Sequence, residues 1–225
     1  MNYSQTSWTI RPLQENDLAL VCQIFLQGFP NSVLHYVGES SAGVEEALRD
    51  MFTAILDYQP QGFLVAEGKG YIGGYIIAIA HMPELWWFVL CRGHFWHWTH
   101  RWLRGEYGIG LVQVLALARN KLGFALSQIQ LGRKIPKSKG YTAQILSIAV
   151  HPLYRGQGIG RALLEKTIAH LDTTPATSVK LEVRPDNIPA RKLYESFGFQ
   201  DVSRTRDSQG DWIVMLKDLC KSSAD

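Results

Sequence analysis

Leu146-Ser147-Ile148-Ala149-Val150-His151-Pro152-Leu153-Tyr154-Arg155-Gly156-Gln157-Gly158-Ile159-Gly160-Arg161-Ala162-Leu163-Leu164 changes character twice. From Ala143 to Val150 it is an apolar strand, from Tyr154 to Gly160 a glycine-rich turn, and from Arg161 to Leu171 a helix with apolar residues at helical spacing. A turn of this kind points its backbone amides into a helix amino terminus, which attracts an anion. Gly158 and Gly160 let a pyrophosphate approach the main chain, and Arg155 or Arg161 adds charge. Two common nucleotide fingerprints fail here. The dinucleotide pattern needs glycine where Arg161 stands, and the P-loop needs lysine and then Ser or Thr after Gly160.

A second stretch follows in chain order: Leu181-Glu182-Val183-Arg184-Pro185-Asp186-Asn187-Ile188-Pro189-Ala190-Arg191-Lys192-Leu193-Tyr194-Glu195-Ser196-Phe197-Gly198-Phe199. Together the two resemble the GNAT superfamily of acyl-CoA N-acyltransferases, with its Arg/Gln-x-x-Gly-x-Gly/Ala signature after the fourth strand and its later Asn-x-x-Ala-x-x-Leu-Tyr-x-x-x-Gly-Phe run. The resemblance covers Ala143 to Leu216 closely and Thr9 to Ala80 by element order. It implies an α/β fold with a mixed, mostly antiparallel central sheet, splayed between strands 4 and 5 and flanked by helices. It also implies acetyl-CoA as co-substrate and no metal. The expected contacts to the cofactor are the backbone of Ile148, Ala149 and Val150, the turn Arg155, Gly156, Gln157, Gly158, Ile159, Gly160 and Arg161, and the side chain of Asn187. Asn187 is equally suited to be a helix N-cap.

Amide formation from a thioester needs a neutral amine, donors for the developing oxyanion and a proton for the departing thiolate. The resemblance assigns that proton to Tyr194, a phenol that stays protonated at neutral pH. Members with a similar Leu-Glu-Val strand carry the proposed base at the position of Glu182, while His151, directly after the fourth strand, is a second candidate.

Outside the two motifs, Trp8 to Pro12 reads as a strand and Leu18 to Phe29 as a helix that Asn16 or Asp17 could cap. Val44 to Leu56 is helical. Gly62 to Glu67 and Tyr71 to Ile79 form a hairpin, and Phe199 to Arg204 pairs with Trp212 to Leu216. Glu84 to Gly140 matches nothing in the family pattern. It holds five of the seven tryptophans and only two acids, Glu84 and Glu106, and reads as a helical insertion whose second helix is Leu111 to Gln130, followed by the basic loop Arg133 to Gly140. Cys91, His94, His97 and His100 fall at steps of three, but each step drifts about 60° around a helix, so the outer pair cannot share a metal. The aromatic insertion leaves core packing, a lid, a homodimer contact and a membrane-surface contact open.

The whole chain, 225 residues with 46% hydrophobic and 19% charged side chains, reads as one domain, 1–225, carrying the 84–140 insertion. A formal charge of +3 is too mild for a nucleic-acid binder. Three scattered cysteines, an amino terminus without a signal pattern and the lack of a long apolar run predict a cytoplasmic protein. The expected activity is acetyl transfer to a primary amine of a small molecule, peptide or protein by direct attack in a ternary complex. Cys22, Cys91 and Cys220 lie outside both motifs, which gives a covalent route no support. The rival expectation is a non-catalytic acyl-CoA-binding sensor or interaction module.

Overall fold

The computed structural model describes residues 7–37, 42–108, 110 and 141–220. Among the described residues seven strands form one sheet: β1 Thr9–Pro12, β2 Phe63–Gly68, β3 Tyr71–Ile79, β4 Tyr141–Val150, β5 Ala176–Val183, β6 Gln200–Asp207 and β7 Gly210–Asp218. They lie in the order β1-β2-β3-β4-β5-β7-β6. Every neighbouring pair is antiparallel except β4 and β5, which run parallel. A parallel pair needs a crossover, and α6, Ile159–Asp172, supplies it.

The period-two alternation of the strands divides the core between the two faces. On one face Leu64, Ile76, Ala78, Leu181 and Val183 pack with Leu163 and Leu164 of α6 and with Tyr194 of α7, Ile188–Ser196. On the other face Phe63, Val65, Tyr75 and Ile77 pack with α1, Leu18–Gly28, and α3, Ala42–Tyr58. The Phe52, Phe63 and Tyr75 rings meet there at centroid distances from 5.5 to 6.2 Å.

The elements expected between Trp8 and Ile79 and between Ala143 and Leu216 are all present, with two differences of detail in the first stretch. Asp17 does not cap α1: its Oδ2 accepts from the Gln14 amide at 2.9 Å and from Arg11 Nη1 at 2.6 Å, so a partner brought in by β1 takes the oxygen a cap would need. A helix not anticipated, α2, Pro30–Val37, follows α1 directly with proline at its start. The first part of the insertion is a helical hairpin, α4 Met82–Cys91 and α5 His94–Leu103, turning at Gly93 with φ +86°. The Leu111 to Gln130 helix and the Arg133 to Gly140 loop lie outside the described residues.

Arg101 fastens this hairpin to α3. Its guanidinium donates to Asp50 at 2.7 Å, Glu46 at 3.1 Å and Glu106 at 2.6 Å, and Asp50 also accepts from the Tyr107 hydroxyl at 2.5 Å. His94 lies 3.4 Å from Asp57 and His97 3.7 Å from Asp50, so these histidines face carboxylates of α3.

Candidate active site

Gly158 caps α6 in the left-handed region, φ +81°, and Gly156 is left-handed at φ +77°. A Cβ added at either would meet no atom within 4 Å, so the chain needs glycine here for its backbone conformation and not for space. The first intrahelical bond runs from the Ala162 amide to the Gly158 carbonyl at 3.0 Å, which leaves the amides of Ile159, Gly160 and Arg161 ahead of the helical ladder. No side chain caps them and no acid sits in the first turn. This is an uncapped positive helix end, suited to a pyrophosphate.

Two arginines frame this helix end. Arg155 Nε donates to the Val150 carbonyl at 3.3 Å, and Arg161 Nη2 donates to Ser196 Oγ at 3.1 Å with its guanidinium 5.2 Å from the Phe197 ring centre. Trp8 holds the turn from outside, where its indole N–H donates to Gln157 Oε1 at 3.2 Å and its ring meets Tyr154 at 5.0 Å. Sequence reasoning missed Trp8, because a tryptophan opening an edge strand carries no local signal of a contact so distant along the chain.

β4 and β5 part company midway. Their pairing runs from Tyr141 with Ala176 to Gln144 with Lys180 and goes no further, although β4 continues to Val150 and β5 to Val183. The β3–β4 register slips just beyond, where Ile77 pairs with Ser147 but Ala78 with Ile145, so Leu146 is an extra residue. Such a bulge bends its strand. Past it, the His151 amide donates to the Gly73 carbonyl at 2.9 Å. Antiparallel alternation then directs the Ala149 amide toward β3 and the Ile148 and Val150 amides toward the gap. The hydroxyls of Tyr75 and Ser147 meet at 2.8 Å under the bulge, and Tyr75 is fully buried.

Two of the expected functional side chains flank β5 from opposite faces. Tyr194 lies in the cluster with Leu181 and Val183, 5% exposed, with its ring 6.0 Å from Phe199. Burial pushes its phenol up to about 12. Lys180 and Glu182 alternate with those core residues and so face the α1 side, both only partly exposed. Burial lowers the Lys180 amine and the charge of Glu182 opposes that shift. Asn187 caps α7, its Oδ1 accepting from the Ala190 amide at 3.2 Å. His151 is spent on a cap of its own: its Nδ1 accepts from the Leu153 amide at 3.3 Å in the turn after β4.

α2 bridges the two edges of this gap on the α1 side. A Cβ at Gly28, the end of α1, would stand 3.2 Å from the Ala149 side chain, so α2 starts beside β4. It then reaches the β6–β7 turn, where Ser32 Oγ donates to Gln209 Oε1 at 2.6 Å and His35 Nε2 meets Ser208 Oγ at 2.8 Å. Arg184, just past β5, ties the same turn by donating to the Gln209 carbonyl at 2.7 Å.

A profile of the acetyltransferase (GNAT) family matches residues 31–199, which span the parted strands and the uncapped helix end. The chain belongs to this family. It is similar to the [ribosomal protein bS18]-alanine N-acetyltransferase of Salmonella typhimurium, 30% identical over 133 residues, which are 59% of this chain and 83% of that relative. The same enzyme of Escherichia coli is 32% identical over 131 residues, 55% of this chain and 82% of the relative. Among solved structures, an acetyltransferase of Salmonella typhimurium with its cofactor acetyl-CoA is 18% identical, with a TM-score of 0.56 over 98% of each chain. An N-acetyltransferase of Staphylococcus aureus is 15% identical with a TM-score of 0.60, over 96% of this chain and all of the other.

As a family member the chain is an acyl-CoA-dependent N-acetyltransferase, with acetyl-CoA as its co-substrate. The residues fit that co-substrate: an uncapped helix end for the pyrophosphate and a gap between strands for the pantetheine arm. Among the described residues no three His, Cys, Asp or Glu side chains are grouped to hold a metal ion. No described helix is long and apolar enough to cross a membrane.

Proposed function

We propose that this acetyltransferase transfers the acetyl group of acetyl-CoA directly to the α-amine of a polypeptide amino terminus within a ternary complex. The observation that carries the reading is the parting of β4 from β5 beyond Gln144, with a phenol on one face of β5 and a carboxylate on the other. The acceptor class draws support from the relatives that act on the alanine of a ribosomal protein. A single domain, 1–225, with the 84–140 segment inserted in it, and a cytoplasmic location belong to the same proposal.

In this reading the pyrophosphate rests on the amides from Gly156 to Arg161, with Arg155 and Arg161 adding charge. The pantetheine arm replaces the missing strand pairing along Ile148 and Val150, and the Asn187 carboxamide donates to it. The acceptor enters on the α2 side, and Glu182 takes a proton from its ammonium, through water where the reach is long. The neutral nitrogen attacks the thioester carbon, and the carbonyl oxygen gathers charge against a β4 amide. Collapse breaks the C–S bond as Tyr194 gives its proton to the leaving thiolate, and the second proton of the attacking nitrogen passes through water to the tyrosinate, releasing amide and CoA thiol. A phenol pushed up to about 12 stays protonated throughout the working range, so turnover shows no alkaline fall from Tyr194 until pH nears that value.

The test is release of free thiol from acetyl-CoA in the presence of peptides with a free amino-terminal alanine, with the same peptides blocked at that terminus, and with lysine-containing blocked peptides. Release with only the first set supports the acceptor. Release with only the lysine peptides moves the activity to side chains, and acetyl-CoA binding without release from any set would identify a sensor. Tyr194→Phe is expected to keep acetyl-CoA affinity while kcat falls about 100-fold or more. Equal kcat would remove Tyr194 from the mechanism.

A further inference from the structure

The glycine turn ahead of α6 is thinly supported from within. Gly156 and Gly158 are left-handed with open space where a Cβ would stand, and Arg155, Gln157 and Arg161 between and beside them are exposed. A stretch with two such glycines has many alternatives to its folded course. Its amides converge on one anion only where something outside the turn fixes that course. Trp8, just ahead of β1 and 149 positions before Gln157, makes the contacts that do this.

Its indole is seated on β3 at Gly73. A Cβ there would stand 2.5 Å from Trp8 Cζ3, 2.6 Å from Trp8 Cη2 and 2.9 Å from Ile159 Cδ1, so glycine is needed at 73 for space. The Gly73 carbonyl accepts from the His151 amide at 2.9 Å. The end of β4, the first residue of α6 and the Trp8 ring therefore meet on one residue of β3. From that seat the indole reaches both parts of the turn. Its ring meets the edge of Tyr154 at 5.0 Å, and its N–H donates at 3.2 Å to Gln157 Oε1, between the two left-handed glycines. Tyr154 in turn lies 5.4 Å from the His151 ring. The hydrogen bond is exposed and contributes little by itself, so the ring contacts carry the effect.

From these contacts we infer that Trp8 is a positioning residue for the cofactor: wedged between Gly73 and the turn, its ring holds the amides of Ile159, Gly160 and Arg161 aimed at the pyrophosphate before that group arrives. Trp8 touches no reacting atom. The inference rests on the reading above that the pyrophosphate lies at this helix end. A turn ordered in advance loses less freedom when its ligand binds. Removing the wedge therefore weakens a thioester that carries the pyrophosphate and spares one that lacks it.

The experiment is calorimetric titration of the full chain with acetyl-CoA and with S-acetylpantetheine, each below the melting temperature of every variant used. Trp8→Leu should weaken acetyl-CoA about 3- to 10-fold and leave S-acetylpantetheine within about twofold of wild type. Trp8→Phe, which keeps a ring over Gly73 and loses the N–H, should bind acetyl-CoA within about twofold of wild type. Gly73→Ala keeps Trp8 and pushes its ring off β3, so it should repeat the loss seen in Trp8→Leu and serves in its place if that variant does not fold. Three results would each overturn the inference: unchanged acetyl-CoA affinity without the ring, an equal loss for both thioesters, or a Trp8→Phe variant as weak as Trp8→Leu. Gly158→Val separates this failure from that of the site itself. If it weakens acetyl-CoA and Trp8→Leu does not, the role of Trp8 alone falls; if neither does, the placement of the pyrophosphate falls with it.

Discussion

The amino end of α6 and the α4–α5 hairpin are both exposed helical surfaces, built in opposite ways. At α6 the working groups are main-chain amides; the side chains stand back, with glycines at 156 and 158 only to permit left-handed turns. On the hairpin what is exposed is side chains, Trp86, Trp87 and Trp96 among them, and the backbone is an ordinary pair of helices that any helix former could supply. The difference teaches which changes each surface can absorb. A surface made of backbone tolerates truncation of its side chains but not a change of conformation, whereas one made of side chains responds to each substitution in proportion to what it removes.

The sharpest way to break that contrast is Gly158→Val. A β-branched residue held at φ +81° costs about 1–3 kcal/mol, so the turn relaxes and the amides swing away. Calorimetry should show acetyl-CoA affinity falling roughly 10- to 100-fold while the melting temperature falls by only a few degrees. Full affinity would mean that the arginines, not the amides, hold the pyrophosphate.

A smaller effect is expected at Tyr75→Phe, which leaves the Ser147 hydroxyl under the bulge without its partner. We expect about 1–2 kcal/mol of stability lost by denaturant unfolding and a few-fold weaker acetyl-CoA binding, because the strand that aims Ile148 and Val150 loosens. Arg101→Met should lower Tm by roughly 2–4 °C and leave acetyl-CoA affinity alone, since it frees the hairpin without touching β4 or α6. Smallest of all, Trp86→Gln should change stability and acetyl-CoA affinity by less than about 0.5 kcal/mol. A marked stability loss there would make Trp86 a packing residue and end the contrast.

The same contrast explains what the chain reveals before it folds. Gly156, Gly158 and Asn187 are legible because their roles are local: two left-handed turns and a helix cap, each demanded by backbone geometry within a few residues. The order of strands around them was legible for a related reason, since apolar alternation and glycine breaks mark both. Asp17 misled because the partner that takes its carboxylate, Arg11, arrives on a strand. α2 is not legible because its work of reaching Ser208 and Gln209 joins segments far apart in the chain. The Tyr75–Ser147 pair is invisible for the same reason. Among the three β4 positions, only the register with β3 separates the Ile148 and Val150 amides from that of Ala149.

The most direct test of the central claim, that an uncapped helix end and a parted pair of strands together receive acetyl-CoA, is calorimetric titration of the wild-type chain with acetyl-CoA and with S-acetylpantetheine, which lacks the pyrophosphate. We predict one acetyl-CoA per chain and far weaker binding of the shorter thioester. Equal affinity for the two would show that the amino end of α6 holds no anion, and the account of the site would fail with it.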